Sequence, residues 1–143
     1  MARTLPGRGE EIPPLVKPAV DKLALLRYAG ASGDDNLIHT DDATARSVGL
    51  EGVIAHGMLS MGYLGQLLTD GAGAGSVRGL AVRFASMVRP GDALTCRGLV
   101  RAVSPEDGGA LVLLSVWAEN QAGERVTHGE AEVFWADEGG RDG

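Results

Sequence analysis

Residues 28–62, YAGASGDDNLIHTDDATARSVGLEGVIAHGMLSMG, join a polar, turn-rich loop to a helix that carries no carboxylate. Asp34 and His39 stand five residues apart in the loop, and His56 with Gly57 opens the helix seventeen residues after His39. Gly, Ser, Asp and Asn crowd the stretch from Gly30 to Thr40, and their side chains offer local hydrogen bonds that compete with regular structure. From His56 to Thr69 the spacing is helical, with small residues at Gly57, Ser60, Gly62 and Gly65. Each glycine weakens a helix by up to about 1 kcal/mol. Several on one helix therefore predict a surface that another backbone approaches closely, such as a sheet wrapped around it.

Working outward, the pattern predicts a short strand over 15–20, then a helix over 22–29 capped by Asp21. Asp41 or Asp42 caps a second short helix that ends at Gly49. After DGAGAGS (70–76) the period becomes strand-like. Leu80, Val82 and Phe84 alternate with Gly79, Ala81 and Arg83. A turn at 89–92 leads into a strand over 93–104, a loop is expected at 105–109, and 110–120 is apolar on both faces. A turn at 120–123 precedes a last strand over about 125–136. One short strand, helices, a long apolar helix and four long strands describe an α+β fold: a central helix wrapped by one curved antiparallel sheet. Residues 1–13 are expected to form a flexible arm, 14–137 the single domain and 138–143 a frayed tail.

Composition bounds the rest. The 143 residues suit one domain, and with 44% apolar but only 4% aromatic residues, Leu, Val and Ala must fill its core. No apolar run reaches the roughly 18 residues of a membrane span, and the N-terminal stretch lacks the apolar segment of a secretory signal. A lone cysteine, Cys96, excludes an internal disulfide and fits a reducing, cytoplasmic compartment. The net charge of −6 argues against nucleic acid as a partner. Five arginines between Arg78 and Arg101 face a single acid, Asp92. They form either a solvated sheet face or, through Arg83 and Arg89, a surface for ligand phosphates or an acidic carrier protein.

A carboxylate and an imidazole in one loop can hold a water between them, with either as general base. The plain alternative is a turn at 32–36 followed by an N-cap. A calcium loop fails, because the sixth position counted from Asp34 is His39 and the twelfth Ala45. The free N–H groups at a helix start beginning His56-Gly57 suit an oxygen that gains negative charge, as in water addition to an unsaturated thioester. The glycines at 71, 73 and 75 follow a helix rather than a strand and lack dinucleotide-loop spacing. Cys96 has no nearby base and reads as core.

The run from Tyr28 to Asp41, matching Y-A-x-x-S-G-D-x-N-P-[IL]-H-x-D at every fixed position but one, followed by Ala55-His56-Gly57-Met58, resembles the MaoC-like dehydratases. These are (R)-specific enoyl-thioester hydratases of the hot-dog fold. The resemblance implies Asp34 and His39 as the catalytic pair, with Asn36 and Ser32 orienting them. It implies an oxyanion and substrate-binding group of Gly57, His56 and Gly62, and no metal or redox cofactor. The substrate it implies is an acyl thioester of coenzyme A or of acyl carrier protein, hydrated reversibly to the (R)-3-hydroxyacyl thioester. The subunits are expected to pair as a homodimer or with a related hot-dog chain. Leu37 replaces the motif's proline, which removes the restraint that proline places on its own φ and on Asn36. Two rivals are a hot-dog thioesterase, disfavoured because the helix carries no carboxylate before Asp70, and a non-catalytic subunit that shapes a partner's acyl channel.

Overall fold

The computed structural model describes residues 4–137. Strand β1 spans Glu11–Val16 and is followed by α1 (Lys22–Ser32), a single 3-10 turn (Leu37–His39), α2 (Asp42–Ser47) and α3 (Gly57–Ala72). Strands β2 (Val77–Phe84), β3 (Thr95–Glu106), β4 (Gly109–Glu119) and β5 (Arg125–Ala136) complete the chain. All pairings are antiparallel, in the order β1-β3-β4-β5-β2. The sheet packs on α3: Leu64, Leu67 and Leu68 are buried against Val100, Val112, Leu114, Val116 and Val133. This is the helix wrapped by one antiparallel sheet that the order of elements predicts, and the hot-dog fold that the resemblance implies.

The main departures lie at element ends. Strand β1 starts at Glu11, inside the stretch read as a flexible arm, and stops before 17–20. Ile12 anchors it, because Gly98 on β3 leaves the space that its Cδ1 fills, 3.1 Å from where a Cβ would stand. Pro13 and Pro14 cannot donate to the ladder, and the register shifts between Ile12 and Leu15, as an edge strand tolerates. The loop expected at 105–109 is instead a tight hairpin, since β3 and β4 pair as far as Glu106 and Gly109. Gly108, at φ 84°, takes the left-handed position that an Asp-Gly turn requires. Strand β4 is central in the sheet: one apolar face, with Val112, Leu114 and Val116, joins the core, while Leu113 on the other is exposed. On the outer one, Trp117 is covered by the Arg125 guanidinium, 4.0 Å from its ring centre. The tail at 138–143 lies outside the described residues.

The glycines of α3 behave differently from expectation. Nothing lies within 4 Å of a Cβ built at Gly62 or Gly65, so these two face away from the sheet. Gly57 and Gly71 are the close approaches, to Phe84 and Trp135. The sheet touches the two ends of the glycine series rather than its middle.

Candidate active site

Three segments meet at the N-terminus of α3. The first is the loop between α1 and α2. Gly33, at φ 78°, ends α1 and turns the chain, and the Asp34 N–H donates to Ser32 Oγ at 3.1 Å. Asn36 N–H donates to Asp34 Oδ1 at 3.3 Å, while Asn36 Oδ1 accepts from Ile38 N–H at 3.1 Å and caps the 3-10 turn. Asn36 therefore orients Asp34 through its backbone and the turn through its side chain. The second segment, 53–56, runs between the other two: Ile54 N–H donates to the Ile38 carbonyl, and Ala55 N–H to the Val88 carbonyl. The third follows β2. Ala85 and Ser86 both donate to the Val126 carbonyl, which bends the chain off the ladder and brings Met87 and Val88 beneath the site.

The imidazole of His39 is 10% exposed. Its Nδ1 lies 2.7 Å from the Ile54 carbonyl, which can only accept, so Nδ1 carries the proton. In the neutral ring this leaves Nε2 with a free lone pair, 3.9 Å from Asp34 Oδ2. That gap is too long for a direct hydrogen bond and suits a water that bridges the two acceptors. The His56 ring stacks on His39, with centroids 3.8 Å apart and planes 23° from parallel, and the Tyr28 ring tilts against His56 with centroids 4.7 Å apart. His56 Nε2–H donates to the Asp34 backbone carbonyl at 3.0 Å.

Next to this group α3 begins. Among the described residues the Gly57 and Met58 N–H groups meet no acceptor, and His56 gives no side-chain cap. A cavity of about 460 Å³ opens here, lined by His39, His56, Gly57, Ser60, Phe84 and Thr127 among others. Its floor is a buried hydroxyl pair, Ser60 Oγ and Thr127 Oγ1, 2.7 Å apart.

Of the residues expected at the site, Asp34, His39, Asn36, Ser32, His56 and Gly57 come together. Gly62 does not: it sits on the exposed face of α3 and does not line the cavity. Arg83 and Arg89 do not line it either. Arg83 lines a separate groove with Ser115, Trp117 and His128, while Arg89 is exposed in the turn that follows the cavity-lining Val88. The Ile54 carbonyl, Phe84 and Thr127 escaped the sequence reading. A backbone acceptor leaves no residue signature, and Phe84 read as one more core position of an alternating strand.

Asp34, His39 and His56 each offer a possible metal-ligand atom, and these lie within 4.8 Å of one another. The stacked rings argue for water instead. In-plane lone pairs from near-parallel rings run side by side, so an ion shared by both would stand well out of each plane.

Residues 10–112, well over half of the chain, match the MaoC-like domain family. The chain is 32% identical over 109 residues to an (R)-specific enoyl-CoA hydratase of Rhodospirillum rubrum, covering 75% of this chain and 74% of that protein. It is 36% identical over 110 residues to the fatty acid synthase subunit beta of Aspergillus oryzae, covering 74% of this chain but only 5% of that much longer protein. The R-hydratase PhaJ1 of Pseudomonas aeruginosa superposes with a TM-score of 0.82 at 29% identity, over 92% of this chain and 83% of that one. The match over residues 10–112, which includes Asp34, Asn36, His39, His56 and Gly57, makes this chain a member of the MaoC-like domain family.

Proposed function

We propose that the chain hydrates trans-2-enoyl thioesters, reversibly, to (R)-3-hydroxyacyl thioesters. The observation that carries this reading is the 3.9 Å gap between Asp34 Oδ2 and His39 Nε2, beside the unpaired amide of Gly57. A water in the gap gives one proton to the pair as its oxygen bonds to C3, and the pair returns one proton to C2. Charge that builds on the thioester oxygen meets the Gly57 N–H, a donor already in place at a helix start. Overall one water is added across the double bond and no cofactor is consumed. The family match and the two hydratase relatives support this chemistry over hydrolysis. So does the position of Asp70, the only carboxylate of α3, thirteen residues and about 20 Å along the helix from Gly57.

The wall of the cavity is largely apolar (Ile54, Ala55, Phe84, Met87, Val88), which supports an acyl chain as the substrate. Leu37, Met58, Phe84 and Met87 are 50–54% exposed on the elements that carry the site, an apolar surface suited to cover by a second hot-dog subunit. Coenzyme A or carrier-protein thioesters of graded acyl length, assayed by loss of enoyl absorbance, test the proposal. Turnover of at least one is expected. Failure across all lengths and both carriers would contradict it.

A further inference from the structure

We propose that His56 is a positioning residue that fixes the Asp34–His39 pair at its distance from the Gly57 amide; the inference rests on the hydratase reading above. His56 is 3% exposed, and among the described residues its Nδ1 is buried without a hydrogen-bond partner. A buried, unpaired ring nitrogen is costly, so packing alone would favour an apolar ring here. What the imidazole adds is the Nε2–H bond to the Asp34 carbonyl.

That bond has a counterpart. His39 donates to the carbonyl of Ile54, two residues before His56, and His56 donates to the carbonyl of Asp34, five residues before His39. The two bonds lace the loop to the 54–56 segment from opposite ends, and the rings stack between them. The 54–56 segment leads directly into Gly57, so one crossed brace sets the spacing between the water-holding pair and the anion-stabilising amide. A ring stacked on His39 also restricts His39 to one orientation, the one that aims Nε2 at Asp34. Loss of the brace should therefore slow the chemical step more than it weakens substrate binding.

The test compares His56→Leu, which removes the donor, with His56→Gln, whose amide N–H reaches the same carbonyl. Each is measured for kcat, KM and thermal midpoint, and by ¹⁵N NMR of the His39 imidazole, which reports the Nδ1–H tautomer with no substrate present. His56→Leu is expected to lower kcat roughly 10- to 100-fold with KM changed less than about threefold. It should also mix the His39 tautomers. His56→Gln should restore kcat to within about fivefold of the parent and keep the single tautomer. A folded His56→Leu protein with parental kcat and unchanged His39 signals would overturn the proposal, as would a His56→Gln protein no better than His56→Leu. If the parent hydrates no enoyl thioester, the hydratase reading fails, and the NMR comparison alone decides: an undisturbed His39 tautomer in His56→Leu overturns the brace.

Discussion

The ring of Phe84 lies over Gly57: a Cβ built on that glycine would stand 3.2 Å from three of its carbons. The edge strand β2 thus ends on the residue that opens the central helix, and both line the cavity. Gly57→Ala should change stability little, because the half-exposed ring can shift and alanine favours the helix. The shifted ring enters the substrate's space, so kcat/KM should fall roughly 10- to 100-fold. Adding Phe84→Ala should recover part of the loss. Additive losses in the double variant would disprove the coupling.

Leu37 sits where the motif has proline, yet the backbone keeps a proline-compatible shape. Asn36 has ψ 125°, as a residue before proline requires, and Leu37 donates no hydrogen bond among the described residues. The side-chain cap from Asn36 supplies the restraint that proline would. Leu37→Pro should then stabilise the fold by about 0.4–1 kcal/mol, with activity retained. A lower thermal midpoint would show that the loop needs the Leu37 N–H.

Asp42 ties three segments together: it pairs with Lys22 of α1, starts α2, and accepts the Val53 N–H at 3.0 Å. The Lys22 ammonium, and after it the Val53 amide, hold its carboxyl below the usual range. A carboxylate with a lowered folded-state pKa contributes stability that is present above about pH 4 and disappears as pH falls through the folded value. Asp42→Asn should lower the urea midpoint at pH 7 and flatten its decline below pH 4. Identical pH profiles for the two proteins would refute the link.

The arginines divide by position. Arg78 pairs with Glu106, and Arg97 with Glu119 and Glu11, while Arg89 has no ion pair among the described residues and follows the cavity-lining Val88. Arg89→Ala should raise KM roughly two- to fivefold at low salt, an effect that added salt erases. Arg83→Ala should leave KM unchanged, since that side chain lines a groove with Ser115 and Trp117. Equal effects of the two substitutions would reject this division.

The sequence carried the fold's order and most of its site because both rest on side-chain pattern. Pattern marked β5 to within a residue, and Asp21 with the Asp41-Asp42 pair placed the starts of two helices. It misplaced β1, where paired prolines obscure the alternation that Ile12 and Gly98 enforce through space. It also placed Gly62 at the site, on the resemblance, because a matching helix start does not show which side of the helix meets the sheet. The contacts that aim His39 come from the Ile54 backbone carbonyl and from a ring stacked on it seventeen residues away. Only tertiary structure brings those together.

The most direct test of the central claim is hydration of trans-2-enoyl-coenzyme A by the parent and by Asp34→Asn and His39→Ala, with chiral analysis of the product. The expected result is (R)-3-hydroxyacyl product from the parent and a rate loss of roughly 10³-fold or more in each variant, both remaining folded. An (S) product, or parental rates in either folded variant, would contradict it.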